Sequence, residues 1–243
     1  NITHCSKKEK HDKIKEMKKT IVLSLGGSII NPGEIQIPFL KGFKEFVLGL
    51  LKQNYRLVIV SGGGKICRQY QQAADEITPL TDEDKDWLGI HTTRLNAHLL
   101  RSIFKQQAYP VVLDDPKKQT PNKYNLFIAS GWRPGRSTDY IAVLLAKRFK
   151  TTKVINASNV EYVYDKDPAK FKDAKPLKEI SWPDYLKIAG KKWIPGMNVP
   201  FDPIASRIAQ KERMTIIFAK GTDLSNLKNI IEDKPFKGTV IRP

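Results

Sequence analysis

The stretch Leu57 to Tyr70, LVIVSGGGKICRQY, constrains the fold more than any other. Leu57-Val58-Ile59-Val60 is an unbroken apolar run, the pattern of a strand covered on both faces in a parallel sheet. Ser61 and three glycines, Gly62, Gly63 and Gly64, follow, and Lys65-Ile66-Cys67-Arg68-Gln69-Tyr70 opens a helix. Glycines let backbone N–H groups approach a ligand closely, and a helix N-terminus carries partial positive charge. One glycine suffices for a tight strand-to-helix turn. Three of them, with Lys65 and Arg68 just behind, point to a phosphate. The spacing is neither the Walker pattern nor the dinucleotide fingerprint, so this corner alone names no reaction.

Two more corners of the same kind occur. Thr20 to Leu25 reads as a strand and runs into Gly26-Gly27-Ser28. Leu126 to Ala129 reads as a short strand and runs into Ser130-Gly131-Trp132-Arg133-Pro134-Gly135-Arg136-Ser137-Thr138-Asp139, before the helix YIAVLLAKRF. Ser137 or Asp139 can cap that helix, but capping needs one such residue, and this loop offers several beside two arginines. In a parallel sheet all three corners fall at the carboxyl ends of strands, where open α/β sheets place ligands. One crevice with room for two phosphate-bearing groups is the expectation.

The remaining chain alternates between the two periods. Helices are expected at Pro38–Gln53, from the triple glycine to about Glu76, from Thr81 to about Gln107, and at Ile180–Ala189, Pro203–Lys211 and Leu224–Glu232. Thr81 is a plausible cap, and Asp84, three residues on, is a near-miss for a capping box. Asp86 stands before an apolar stretch, where it can meet ribose hydroxyls. Strands are expected at Tyr109–Leu113, Lys153–Ala157, Met214–Ala219 and Gly238–Ile241. Ser158 to Pro168 reads as a surface hairpin or a flap over a nucleotide base, and Gly190 to Pro203 as a shaped loop. The alternation predicts one parallel, doubly covered sheet.

Composition narrows the class. Of 243 residues, 40% are hydrophobic, enough for a packed core, and no apolar run approaches the length of a membrane span. Cys5 and Cys67 are too few for a disulfide framework or a zinc site, and no secretory signal is visible, so a cytoplasmic setting fits. Net charge is +17. The lysines are spread along the chain and no nucleic-acid module is present, so nucleic acid is not expected as the main partner. Residues 1–19 hold seven lysines and three acids and read as a basic extension preceding one domain, 20–243. His4 and His11 lie in that extension; His91 and His98 share a helix face and read as packing.

SLGGS, VSGGGKICRQY, DWLGIHTTRLNAHLL, PGRSTDYIAVLLA, NASNVEYVYDKDP and FDPIASRIA follow one another in this order, and KGTVIRP closes the chain. The set resembles the amino acid kinase superfamily and, within it, the uridylate (UMP) kinases of the archaeal type. The resemblance implies a three-layer α/β/α sandwich around a mainly parallel sheet, often assembled as a hexamer. It implies transfer of the ATP γ-phosphate to UMP in pyrimidine nucleotide biosynthesis, with Mg²⁺ carried mainly by the ATP phosphates and no dedicated protein metal site. By the same resemblance Gly27, Ser28, Gly64 and Arg68 would hold ATP phosphates, and Ser158, Asn159, Tyr164 and Asp167 the adenosine. Gly63 would face UMP, Asp86 its ribose, and the segment Gly131, Trp132, Arg133, Pro134, Gly135, Arg136, Ser137 and Thr138 its base and phosphate.

Three departures stand out. Ser24 occupies the position where bacterial members often carry lysine, as archaeal-type members also lack it. Arg136 replaces a histidine of archaeal relatives. Asn159-Val160-Glu161-Tyr162 replaces NVDG and puts the local loop geometry in doubt. A phosphate acceptor has its second pKa near 6 and is already anionic at pH 7, so no general base is required. The expected catalysts are backbone N–H groups, Arg68, Lys65 and Arg136, with Asp139 orienting a cation or the metal. Two other readings stay open: a kinase of the same superfamily with another acceptor, and a non-catalytic nucleotide- or RNA-binding regulator.

Overall fold

The computed structural model describes residues 18–168, 170–190 and 199–243. Residues 1–17 of the basic extension, with His4, His11 and Cys5, and most of the expected loop between Gly190 and Pro203 lie outside them. The strands are β1 (Thr20–Leu25), β2 (Arg56–Ser61), β3 (Leu126–Ala129), β4 (Lys153–Ser158), β5 (Val163–Tyr164), β6 (Pro176–Leu177), β7 (Glu179–Ser181), β8 (Thr215–Lys220) and β9 (Thr239–Arg242). The helices are α1 (Gly27–Ile30), α2 (Ile37–Lys52), α3 (Gly64–Ile77), α4 (Asp82–Phe104), α5 (Thr138–Arg148), α6 (Trp182–Ala189), α7 (Pro203–Lys211) and α8 (Leu224–Ile231).

Seven strands form one sheet in the order β3-β2-β1-β4-β8-β9-β7. The first five run parallel; β9 is antiparallel to β8, and β7 pairs parallel with β9. Side chains alternate across β1. Ile21, Leu23 and Leu25 face a core built with Phe43 and Val47 of α2, Phe104 of α4 and Ile230 of α8. Val22 faces the opposite core, with Ile141 and Leu145 of α5, Trp182 and Tyr185 of α6 and Ala205 of α7. This is the expected sandwich of helices on both faces of a mostly parallel sheet. Ser24 shares the Val22 face, which turns it toward α5.

Four local expectations change. Tyr109–Leu113 is not a strand but a single parallel bridge from Leu113 to Ala129. Tyr109 and Leu113 donate to Leu126 O and Ile128 O, each at 2.8 Å, but Pro110 between them has no N–H to give. The helix expected from Ile180 begins at Trp182. Ser181 caps it, Pro183 sits in its first turn, and Ile180 instead pairs with Ile241 at the sheet edge. At the start of α4 the near-miss is a complete capping box: Thr81 Oγ1 accepts from Asp84 N–H, and Asp84 accepts from Thr81 N–H. Ser158–Pro168 does not form a hairpin by itself: it supplies β5, whose antiparallel partner β6 lies beyond it at Pro176–Leu177.

Candidate active site

β1 lies between β2 and β4, and Leu25 is level with Ser61 and Ala157, so their glycine corners leave the sheet side by side. Gly26 N–H donates to Ala157 O and Gly62 N–H to Leu25 O, each at 2.9 Å. The first corner continues directly as the short helix α1, and α3 begins at Gly64. Gly64 has φ +73°, a conformation that favours glycine. The two corners pack backbone to backbone.

Helix α4 carries the polar groups that fix the loops. Asn96 Nδ2 donates to Gly62 O at 2.9 Å and to Gly63 O at 3.3 Å. Thr93 Oγ1 accepts from Gly131 N–H at 2.8 Å. Arg94 donates to Trp132 O at 3.3 Å, and Asp86 accepts from Gly135 N–H at 2.6 Å. One helix therefore sets both the triple-glycine corner and the acceptor loop. Burial pushes the Asp86 carboxyl above the ordinary carboxylate range, against the pull of the Gly135 N–H.

A single cleft is lined by Gly63, Gly64, Arg68, Asp86, Gly131, Arg136, Ser137, Thr138 and Asp139 among the sequence-predicted residues. Arg68 Nη2 donates to Ser28 Oγ at 3.3 Å, which joins the first corner to the cleft wall. Gly27 lies under the triple glycine. Arg136 donates to Gly135 O at 2.6 Å and stacks over Tyr140 at 5.0 Å. Arg133 lies over the Trp132 ring at 4.2 Å, and Pro134 sits between them and Gly135 in the loop. Ser137 caps α5 by accepting from Tyr140 N–H at 3.1 Å. Its hydroxyl is thus engaged in the helix, the plainer of the two roles the sequence allows.

The other predicted residues stand away from that wall. The Lys65 ammonium lies beside Gly33. Ser158 ends β4 and its hydroxyl donates to Asn159 Oδ1 at 3.2 Å. Tyr164 lies in β5, and Asp167 O accepts from Lys170 and Phe171 N–H in the turn beyond. These four follow one another from the carboxyl end of β4, and Ser158 Cα lies beside Gly26.

Behind the acceptor loop Asp139 is half-buried. Its Oδ1 accepts from Ser24 Oγ and from Asn156 Nδ2, and its Oδ2 from the Asp202 backbone N–H, each at 3.2 Å. Burial, then the neighbouring Asp202 carboxylate, pushes its pKa up to about 7, against the pull of the Asp202 N–H and the Ser24 hydroxyl. Asp202 caps α7 and also lines the cleft.

The Amino acid kinase family model matches residues 19–220. The chain belongs to the amino acid kinase family. It is 34% identical over 226 residues to the uridylate kinase of Thermococcus kodakarensis, covering 92% of this chain and 99% of that one. It is 34% identical over 222 residues to the uridylate kinase of Thermoplasma volcanium, covering 90% and 96%. The crystal structure of uridylate kinase from Archaeoglobus fulgidus superposes with a TM-score of 0.77 at 31% identity, covering 92% of this chain and 99% of that chain. The family's α/β/α sandwich is the architecture described above.

Within the amino acid kinase fold, the altered NVEY loop needs no glycine. The described non-glycine residues with left-handed φ are Asn54, Lys105, Lys150, Arg213 and Asp233, and Tyr162 is not among them. Sequence reading passed over four residues of this site. Thr93 and Asn96 sit on the buried face of α4, where polar groups need partners. Asn156 interrupts an apolar strand, a usable signal. Asp202 was visible only as a residue before a helix.

Proposed function

We propose that this chain is a UMP kinase, transferring the γ-phosphoryl group of ATP to UMP to give UDP and ADP. The observation that carries the reading is the contact between the two glycine corners at one wall of the cleft, with Asp86 and the acceptor loop forming the other. A UMP phosphate oxygen forms the new bond to the γ-phosphorus, and the bond to the β,γ-bridging oxygen breaks, leaving ADP. Family membership and the archaeal uridylate kinases at 34% identity support this choice of substrates.

The chain's own groups act by position and charge. Gly27, Ser28 and Gly64 bring N–H groups to the ATP phosphates, and Arg68, tethered to Ser28, neutralises the oxygen charge that moves. Ser158, Asn159, Tyr164 and Asp167 bound the adenosine along β4 and the hairpin. Asp86 keeps one carboxylate oxygen for the UMP ribose while the other fixes Gly135. Gly63 and the segment Gly131–Thr138 enclose the base and phosphate, with the Trp132–Arg133 stack at the rim and Arg136 over the phosphate. Lys65 adds positive potential from behind the glycines. Asp139 holds this wall together through Ser24, Asn156 and Asp202.

Mg²⁺ bound with ATP would supply charge neutralisation at the transferred phosphoryl oxygens. The residues fit such an ion: Asp202 Oδ2 is a buried carboxylate oxygen with no hydrogen-bond donor among the described residues. The basic extension ahead of a 20–243 catalytic domain, a cytoplasmic site of action in pyrimidine nucleotide supply and a homo-oligomer such as the hexamer complete the reading. Support for assembly comes from Tyr70, Ile77, Trp87 and Leu95, apolar residues exposed on α3 and α4.

A coupled ADP-release assay tests the proposal across UMP, CMP, dUMP, glutamate derivatives and carbamate. UMP-dependent ADP formation supports it. UMP binding without ADP formation, or turnover only with another acceptor, overturns it.

A further inference from the structure

Two carboxylates stand where two phosphorylated molecules are to meet. Asp139 and Asp202 both line the cleft; Asp202 is buried and Asp139 half-buried. The hydrogen-bond partners of Asp139 are neutral: the Ser24 hydroxyl, the Asn156 amide and the Asp202 N–H. Asp202 is 2% exposed. Its Oδ1 accepts from the N–H groups of Ile204 and Ala205, while its Oδ2 has no hydrogen-bond partner among the described residues. A buried carboxylate oxygen without a donor is costly, and phosphates brought next to it add repulsion. A cation removes both penalties.

We propose that Asp202 Oδ2, with Asp139 beside it, forms a divalent-cation site that belongs to the protein and binds without nucleotide. The chemistry suits a small hard ion of the Mg²⁺ class, which takes oxygen ligands and commonly combines one or two carboxylates with substrate phosphates. No group of three or more His, Cys, Asp or Glu able to hold a metal occurs among the described residues. The pair is therefore a partial site that the phosphates of a bound nucleotide complete. It is also held rigidly. Tyr185 Oη donates to Phe201 O at 2.8 Å and accepts from Phe201 N–H at 2.7 Å, fixing the residue before Asp202. Ser24 and Asn156, level with each other on β1 and β4, hold Asp139 from the sheet. The inference rests on the phosphoryl-transfer reading for its purpose but not for its binding.

Mn²⁺ titration of the full chain, with free Mn²⁺ read by electron paramagnetic resonance and no nucleotide present, tests it. The expected result is one ion per chain with a Kd on the order of 10⁻⁴–10⁻³ M, the range of weakly chelating carboxylate sites, displaced by Mg²⁺. Asp202→Asn keeps an oxygen for the α7 cap and should weaken Mn²⁺ binding at least tenfold; Asp139→Asn should weaken it as well. Melting curves supply a second readout: Mg²⁺ should raise the wild-type Tm and leave that of Asp202→Asn unmoved. No binding at millimolar Mn²⁺, or equal binding by wild type and folded Asp202→Asn, overturns the site. Such a failure alongside UMP-dependent ADP formation removes the site and leaves the kinase reading standing. Ion binding without turnover on any acceptor does the reverse.

Discussion

Gly27 and Gly64 leave no space for a side chain between them: a Cβ on Gly27 would stand 2.3 Å from Gly64 N, and one on Gly64 would stand 2.4 Å from Gly27 C. Two corners that are 37 residues apart in sequence are thus one structural unit. Gly27→Ala should cost about 2–4 kcal/mol, the scale of an overpacked backbone contact. Gly64→Ala adds the strain of a positive φ. Urea unfolding checks both, and a change below about 0.5 kcal/mol in either would be inconsistent with the contact.

Arg68→Ala should lower kcat by about 10²–10³, the loss seen when one charge-stabilising donor is removed. The side chain lines the cleft and, among the described residues, hydrogen-bonds to the Ser28 hydroxyl alone, so the fold should survive. Steady-state kinetics beside a melting curve separates the two effects. Near-normal turnover would remove Arg68 from the catalytic set.

Asn96→Ala should cost about 1–3 kcal/mol, because it strips a buried donor from two carbonyls of the glycine corner. Its kinetic effect should fall on the ATP phosphates through a corner less firmly held. Asn96→Asp, which replaces the donating amide with an acceptor facing two carbonyls, should be worse than Ala. Equal stability of all three proteins would contradict the role.

The architecture was legible where one period dominates. The apolar runs Leu57–Val60 and Val154–Ile155 mark strands, and the glycines after Leu25 and after Ser61 mark corners. What the sequence could not convey is that β1 sits between β2 and β4, which is what brings Gly27 against Gly64. Strand order is set by packing across the whole sheet, and no local pattern carries it. Pro110 and Pro183 explain two misplaced boundaries: Pro110 removes an N–H that a regular strand would use, and Pro183, tolerated only in a helix's first turn, fixes the start of α6 at Trp182. Asp202 was hidden for another reason. A carboxylate before a proline and a helix reads as a cap, and its Oδ1 is one; only the fold shows that its other oxygen is buried beside Asp139.

Asp139 should leave a signature in stability against pH. In metal-free buffer it binds its proton more tightly in the folded protein, about 7 against 3.8 for an ordinary aspartate. Folding then takes up a proton between those values, so this contribution is fully present below about pH 4 and is lost as pH rises through 7. Three units at 1.36 kcal/mol each make about 4 kcal/mol. Asp139→Asn should flatten that part of the profile, as chemical denaturation at pH 5 and pH 8 will read. An unchanged slope in the variant would assign the proton elsewhere.

Two phosphorylated molecules held end to end in one cleft should be mimicked by a single molecule, adenosine and uridine joined 5′ to 5′ through a polyphosphate chain. Isothermal titration should show this compound binding at least 100-fold tighter than ATP or UMP alone, because the second half binds at high effective concentration. That gain should fall in Arg68→Ala and in Asp86→Asn. An affinity no better than that of either nucleotide would mean that the corners and the acceptor loop do not serve a common reaction.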